Sequence, residues 1–435
     1  MARQRARKPS KSQSKSPSWG IIVALLLLVV GGVYLWLSSS KSEQKSSEQA
    51  AAKPALAHVK TVKVFVENSG SMDGYVRAVN SQLKSDLNAL VSGMSILKDP
   101  VSSAPLVDTI ELNYINSELI PIKSSISHFT ETLSVQAFRD YGGSRASTSL
   151  QDLLERVQRI TGPEDVSIFI SDMILDLQSG QSAESVSTNI ETTLRRHLMN
   201  RPHWAVVVWR MESDFDGTYY EAGAKVALKA KRPYYILMMG DRAQLYSLLS
   251  KGQLPDNLPF YKHRTHQMIL EQTMDDLKYT VSPSAVSGSL ALDRNDKHTI
   301  HEAKVGKQPS GVRAFAFEVK MYPPQTLQDE ARLLAPASYE VLPATYRLSK
   351  VRRGNDGAIY LRIESPEVVL GTVTVSLMQT MPQWVNSVHA EANTAILEPK
   401  NLSRTYGIKY ILEGLSSPYE SSSAKLFTLQ VNLKE

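Results

Sequence analysis

The sequence contains no cysteine among its 435 residues. Disulfide bonds, thiol nucleophiles and thiolate metal sites are therefore excluded. Two catalytic motifs are also missing: the phosphate-binding loop G-x-x-x-x-G-K-[ST] and the G-x-S-x-G turn that presents a nucleophilic serine. ATP-driven chemistry thus has no support, and a serine hydrolase would have to use Ser69 or Ser71 without that turn.

The excess of positive charge is confined to one short stretch at the N-terminus. The net charge is +6, and the first 18 residues alone carry six basic side chains and no acid. The rest of the chain is therefore balanced, so we expect no binding to nucleic acid. The basic tail precedes Trp19–Leu37, which is 19 residues long and uncharged. As a helix this stretch would be about 28 Å long, enough to cross a bilayer.

The basic tail also predicts the orientation of this span. By the positive-inside rule, the N-terminus is cytoplasmic and the bulk of the chain is periplasmic or extracellular, in a single-pass protein of the cell membrane. A cleaved signal peptide is the alternative, but the apolar run is long for one and lacks a clear A-x-A site. A cysteine-free extracytoplasmic protein is more typical of a bacterium than of an animal.

The chain length favours two folded domains. Beyond the tail and the span, residues 38–58 are rich in Ser, Lys, Glu, Gln and Ala and predict a flexible linker. In residues 59–280, strand-like and helix-like stretches alternate, which predicts an α/β domain with a mostly parallel central sheet flanked by helices. Residues 281–435 contain short alternating strands separated by turn residues, which predicts a β-rich, sandwich-like domain.

Oxygen-bearing side chains follow the predicted strands of the α/β domain. Glu67, Ser69 and Ser71 form an E-x-S-x-S pattern after the first strand, in the stretch "VFVENSGSMDGY". Thr148 comes just before a predicted helix, and Asp172 ends the most apolar strand. Loops at the carboxyl ends of parallel strands meet at one edge of a sheet. Carboxylate and hydroxyl oxygens suit Mg²⁺, Ca²⁺ or Mn²⁺, so we expect a divalent-cation site here.

At these residues the chain resembles the von Willebrand factor A (VWA) family over roughly residues 60–250. The metal-ion-dependent adhesion site of that family has a D-x-S-x-S loop, a threonine loop and a later aspartate often followed by glycine. The resemblance implies a Rossmann-like fold in which Glu67, Ser69, Ser71, Thr148 and Asp172 hold the ion. It also implies that an Asp or Glu of a partner protein completes the coordination shell.

The chain departs from the family pattern at two positions. Glu67 stands in place of the aspartate, and its extra methylene moves the carboxylate about 1.5 Å further along the strand. Mg²⁺ tolerates such a shift less well than Ca²⁺. Met173 stands where a glycine is common. A metal-free scaffold of the same fold therefore remains the alternative to a metal-dependent binding module.

Other candidate residues have a simpler interpretation. Asp214 and Asp216, in "ESDFDGTYYE", predict a polar turn on the same binding rim, which also includes Asp73. The H-x-x-H pairs at residues 263–266 and 298–301 have no third ligand in register, so solvated surface is expected rather than zinc. The sequence as a whole predicts a protein that binds another protein at the bacterial cell envelope. An envelope hydrolase is the alternative of a different class.

Overall fold

The computed structural model describes residues 56–435, except 146–148, 222–223, 251–252, 256, 275–276, 308–310, 312, 323–325, 329 and 421–424. These residues belong to one compact unit that spans 55–435. The fold is mixed α/β. The predicted membrane span Trp19–Leu37 lies outside the described residues. Within them, no helix is long and apolar enough to cross a membrane.

A seven-stranded sheet forms the centre of the first half, in the order β3-β2-β1-β4-β6-β5-β7. Its strands are β1 (Val59–Glu67), β2 (Val107–Ile115), β3 (Leu119–Ile122), β4 (Asp165–Ser171), β5 (Trp204–Glu221), β6 (Ala224–Asp241) and β7 (Arg264–Leu270). The central strand β1 alternates between the two faces: Val64 packs in the core on one side and Phe65 in the core on the other.

The sheet is mixed in direction. The central triplet β2, β1 and β4 is parallel, as expected from the alternation of strands and helices. The described pairings outside this triplet are antiparallel. The expectation of a mostly parallel sheet therefore holds only for the centre. The physical reason is that β5 and β6 follow each other as a long hairpin, with no helix between them to carry the chain back.

Helices cover both faces of this sheet. They are α1 (Asp73–Arg77), α2 (Gln82–Ser95), α3 (Ile126–Thr132), α4 (Val135–Asp140), α5 (Leu150–Ile160), α6 (Ala183–Asn200), α7 (Arg242–Leu249) and α8 (Pro259–His263). The chain breaks between α1 and α2, because Ser81 is extended and caps α2 with its side chain. Leu87 of α2 packs on one face of the sheet, and Leu153 of α5 on the other.

The second half is built mainly of strands in two five-stranded sheets. Their strands are β8 (Tyr279–Val281), β9 (Ser289–Leu292), β10 (Thr299–Lys304), β11 (Gly306–Lys307), β12 (Arg313–Met321), β13 (Tyr339–Leu342), β14 (Arg347–Arg353), β15 (Ile359–Ser365), β16 (Gly371–Met378) and β19 (Lys425–Leu433). One sheet runs β13-β16-β19-β10-β9; the other runs β11-β12-β15-β14, with β8 beside β12. Both contribute to one apolar core, for example Phe317 and Phe427.

One part of the second half returns to the first sheet. This part consists of α10 (Trp384–Val388), β17 (His389–Ala390), β18 (Thr405–Tyr406) and α11 (Ile408–Ser416). The short helix α9 (Glu330–Leu334) comes earlier in the chain and is not part of it. Ile411 and Leu412 of α11 pack in the same core as Leu194 of α6. The division of the chain at residues 280 and 281 stays a prediction, but residues 384–419 share the core of the α/β half.

Candidate functional site

The candidate site lies where β1 and β4 end side by side. Glu67 is the last residue of β1, and Asp172 follows directly after β4. The two strands are parallel neighbours, with Val66 opposite Ile170, so both acids leave the sheet at the same edge. The structure thus brings together the two carboxylates identified from the sequence.

Serine hydroxyls connect the two acids. Glu67 accepts hydrogen bonds from the hydroxyls of Ser171 and Ser69, and Asp172 accepts one from Ser71. Ser69 Oγ and Ser71 Oγ lie 3.0 Å apart and share a hydrogen bond. A continuous chain of oxygen atoms therefore runs from Glu67 through both serines to Asp172.

Both carboxyl groups are deeply buried. The exposed fraction is 6% for Glu67 and 4% for Asp172. Burial, together with the negative charge of Asp172, raises the pKa of Glu67 to about 7, while the serine hydrogen bonds oppose the shift. Burial also raises the pKa of Asp172, although Ser71 and the positive charge of Arg232 lower it. Two buried acids this close favour taking up a positive charge, either a proton or a cation.

Met173 occupies a backbone conformation that normally favours glycine. Its φ is +53°, in the left-handed region, and its side chain is fully buried. The amide of Met173 donates to Ser171 Oγ at 2.8 Å, and the amide of Ile174 donates to Asp172 Oδ1 at 3.3 Å. The turn after β4 is therefore kept without glycine, and the cost of the conformation is offset by these hydrogen bonds and by burial of the methionine.

Arg145 links the loop before α5 to the loop that carries Ser69 and Ser71, which we call the serine loop. The Gly70 amide donates to the Arg145 carbonyl at 3.1 Å. In return, Arg145 Nε donates to the Asn68 carbonyl at 2.6 Å, and its Nη2 donates to the Ser69 carbonyl at 3.2 Å. Thr148, the expected third ligand loop, lies outside the described residues. Arg145 could not be identified from the sequence, because its role depends on this tertiary contact.

Asp73 is not an exposed acid on a binding rim. It is 8% exposed and forms an ion pair with Arg145. The more exposed Arg139 places its Nη2 3.7 Å from Asp73 Oδ2. A carboxylate compensated in this way stabilises the two loops and is not available to a partner.

Asp214 and Asp216 do not lie in a polar turn. They are part of β5, which continues through residue 221 and pairs with β6 as a hairpin. Asp214 lies opposite Lys231 and Asp216 opposite Lys229, with 3.4 Å between Lys229 Nζ and Asp216 Oδ2. Acids and glycine are unfavourable in strands, but cross-strand charge pairs compensate here. We call residues 212–233 the hairpin arm.

The inner face of the hairpin arm packs against the loop that contains the candidate ligands. Phe215 lies directly against Gly74, where a Cβ would collide with its ring. A Cβ on Gly217 would come within 2.5 Å of Gly74 Cα, and one on Gly70 within 2.9 Å of the Tyr220 hydroxyl. Glycine at these positions therefore permits a close approach that leaves the serine loop covered by the arm.

Two buried arginines behind the site were not identified as functional from the sequence. Arg210 and Arg232 are each 2% exposed. Arg232 Nη1 donates to the carbonyls of Leu402 and Arg404, at 2.7 and 3.1 Å, and Arg210 Nη2 donates to the carbonyl of Ser403. The sequence signal was weak: Arg210 stands at the end of the apolar run 204–209, and Arg232 stands just before Pro233 and the apolar run 234–239. A buried arginine at such a place needs a specific partner.

The histidines of the first H-x-x-H pair, His263 and His266, contact different partners. His263 Nδ1 lies 2.7 Å from Oδ1 of the buried Asp86, whose other oxygen accepts a hydrogen bond from Tyr234 at 2.8 Å. His266 stacks on Trp384 with ring centroids 5.0 Å apart. In the part of the chain that the structure describes, no group of three or more His, Asp or Glu side chains is arranged to hold a metal.

Comparison with known proteins gave no match to a family model, to a curated protein or to a solved structure. The function must therefore be argued from the site itself.

The donor set at the strand ends fits a hard divalent cation. Glu67 and Asp172 supply carboxylate oxygens and Ser69 and Ser71 supply hydroxyl oxygens, which are the ligand types that Mg²⁺, Ca²⁺ and Mn²⁺ prefer. With both acids ionised, the buried pair carries two negative charges, which a divalent ion would balance. The candidate ligands therefore supply the oxygen donors and the negative charge that a divalent cation requires, with hydroxyls in place of a third acid.

Proposed function

We propose that this protein binds another protein at the bacterial cell envelope through a VWA-like domain, with a divalent cation held by Glu67, Ser69, Ser71 and Asp172. Thr148 completes the ligand set in this proposal. An Asp or Glu of the partner supplies the remaining ligand. Trp19–Leu37 anchors the protein in the membrane, with the N-terminus in the cytoplasm and the bulk of the chain outside.

One observation carries the proposal: two buried carboxylates meet at the ends of adjacent parallel strands, joined by serine hydroxyls. Burying two like charges side by side is costly unless a counter-charge is provided. A site whose purpose was only structural would be cheaper to build from neutral side chains. The strand order β3-β2-β1-β4, in which β2, β1 and β4 are parallel, also supports a Rossmann-like interpretation.

A metal-free scaffold is the second candidate function, and the burial of both carboxyl groups favours it. Glu67 and Asp172 are almost inaccessible, and the Tyr220 hydroxyl lies close above Gly70. In this conformation the acids can instead retain a proton, because the pKa of Glu67 is raised to about 7. The two proposals differ in whether partner binding needs a divalent ion.

Cross-linking in intact cells distinguishes the two proposals. We expect cross-linked partner complexes of the wild-type chain to disappear on EDTA treatment and in Asp172→Ala, while Asp214→Ala, on the outer face of the hairpin arm, retains them. Complexes that survive both EDTA and Asp172→Ala, with the variant folded, would favour the metal-free scaffold. Neither result supports hydrolysis, which would require turnover lost in Ser69→Ala or Ser71→Ala.

A further inference from the structure

A cavity lies at the side of the central sheet, where the edge strand β3 ends. Its volume is about 300 Å³. Ile122 at the end of β3, Phe129 of α3 and Ala137 of α4 line it, so it lies between the sheet edge and two short helices. Among the described residues, none of the candidate cation ligands lines this cavity, which we call the edge cavity.

Aromatic rings form much of the wall of the edge cavity. Tyr114 of β2 and Phe129 are each 1% exposed, and Tyr141 is 38% exposed. The ring centroids of Phe129 and Tyr141 lie 5.3 and 5.1 Å from that of Tyr114, and Phe138 packs edge-on against Tyr114 at 5.3 Å. These separations are typical of packed aromatic rings, and a further planar ring can join such a group through contacts of the same kind.

The buried hydroxyl of Tyr114 lacks a partner. No hydrogen bond is formed to it within the part of the chain that the structure describes, although the residue is almost fully buried. Burial, together with Tyr141, raises the pKa of Tyr114 above its usual range, so the hydroxyl stays protonated and can donate. A buried hydroxyl without a hydrogen bond is costly. Because Tyr114 lines the edge cavity, a polar atom of a ligand there can be its partner.

The charge of the cavity lining favours an anion. Lys123 and His128 line the cavity and are exposed, and the lining residues, all from the described part of the chain, include no acid. Lys123 forms no ion pair with any residue that the structure describes. Aromatic walls can also attract a cation, but the ammonium group of Lys123 opposes this. The lining therefore fits a ligand that combines an apolar ring with a negative charge.

We propose that the edge cavity binds an aromatic group that carries a carboxylate, either as a free aromatic acid or as the C-terminal residue of a peptide. The ring packs against Tyr114 and Phe129, the carboxylate pairs with Lys123, and a polar substituent of the ring bonds to the Tyr114 hydroxyl. The volume lies at the lower end of the range for ligand pockets, about 300–1,000 Å³, which suits a single ring with short substituents. This site goes beyond the proposed cation site and does not depend on it.

Isothermal titration calorimetry of the full-length chain in detergent, with EDTA present, tests the proposal. N-acetyltyrosine should bind with a Kd of about 1 mM or below. N-acetyltyrosine amide, which lacks the carboxylate, should bind about tenfold more weakly, and N-acetylphenylalanine, which lacks the hydroxyl, about fivefold more weakly. The peptide Gly-Gly-Gly-Tyr distinguishes the two sources of the ligand. A lower Kd than that of N-acetyltyrosine assigns the site to a peptide C-terminus, and an equal or higher Kd assigns it to a free acid.

Two variants locate the binding in the edge cavity. In Lys123→Met the acid and the amide should bind equally, and in Tyr114→Phe N-acetyltyrosine and N-acetylphenylalanine should bind equally. Each variant removes the protein group that distinguishes the two probes. Lys98→Met, which changes an exposed lysine outside the cavity, is the control and should keep both differences. Tyr114→Phe should also keep the wild-type melting temperature, since its hydroxyl has no partner to lose among the described residues.

Two results would overturn the proposal. One is the absence of binding by both N-acetyltyrosine and the peptide at concentrations up to about 10 mM. The other is a difference between acid and amide that persists in Lys123→Met, a test that holds even if Tyr114→Phe does not fold. Neither result bears on the cation site, because EDTA is present throughout.

Discussion

Gly217 of the hairpin arm lies against the backbone of Gly74, the second residue of α1, so closely that a Cβ on Gly217 would lie 2.5 Å from Gly74 Cα. The neighbouring atom is main chain and cannot rotate away, as the end of a side chain could. The hairpin arm and the start of α1 can therefore pack this closely only because both positions are glycine. The arm covers the serine loop only while both glycines remain.

Gly217→Ala should lift the hairpin arm from α1. We expect a loss of about 1–3 kcal/mol of unfolding free energy, typical of an inserted methyl group in a packed interface. Limited proteolysis should also cut residues 212–233 faster. Thr218→Ala, on the opposite face of the arm, is the control and should change little. An unchanged melting temperature and unchanged cleavage in Gly217→Ala would show that the arm does not seat on α1.

Arg145 and Arg139 approach the same carboxylate with different exposure, which predicts different contributions to stability. The Arg145 side chain is 18% exposed and that of Arg139 is 59% exposed, while the Asp73 side chain is 11% exposed. Arg145→Met leaves a buried acid without its main partner and should cost about 3–5 kcal/mol. Arg139→Met should cost less than about 1 kcal/mol. Urea unfolding measures both, and equal losses would contradict the assignment of Arg145 as the link between the loops.

The raised pKa of Glu67 predicts how stability depends on pH when no cation is bound. The pKa is 4.5 in the unfolded chain and about 7 in the folded protein. Between these values the folded protein holds a proton that the unfolded chain has lost, so this contribution is fully present below pH 4.5 and declines as pH rises to 7. The total effect is on the order of 3 kcal/mol.

Glu67→Gln isolates this effect, because glutamine does not titrate. We expect unfolding in metal-free buffer to show a smaller loss of stability from pH 5 to pH 7.5 in Glu67→Gln than in the wild type. Other groups titrate in both proteins and cancel in the difference. The same pH dependence in both proteins would mean that Glu67 is not a strained, buried acid.

Regular local patterns could be predicted from the sequence. The apolar, β-branched stretches "VKTVKVFVE" and "VDTIELNYI" predict strands, and the structure has strands over the same residues, Val59–Glu67 and Val107–Ile115. Because the ends of parallel neighbours share an edge, the approach of Glu67 to Asp172 also followed from the order of strands and helices.

The hairpin arm and the packing of α11 could not be predicted in the same way. The acids and the glycine in residues 212–221 are typical of turns, and only the opposing lysines of β6 make a strand stable there. The stretch "TYGIKYILEGL" predicts a helix, which the structure has as α11, but nothing local indicates that Ile411 packs beside α6. Long-range partners decide these features, as they do for Arg145 and Arg232.

Thermal unfolding of the full-length chain at pH 8, in EDTA and in Mg²⁺, Ca²⁺ or Mn²⁺, tests the cation site most directly. An ion present at 100 times its Kd stabilises the folded protein by about 2.7 kcal/mol. We predict that at least one ion raises the melting temperature of the wild type and of Asp214→Asn, and that Glu67→Ala abolishes the rise. The same melting temperature in EDTA and in all three ions would contradict a cation site and leave the two carboxylates as a buried, proton-sharing pair.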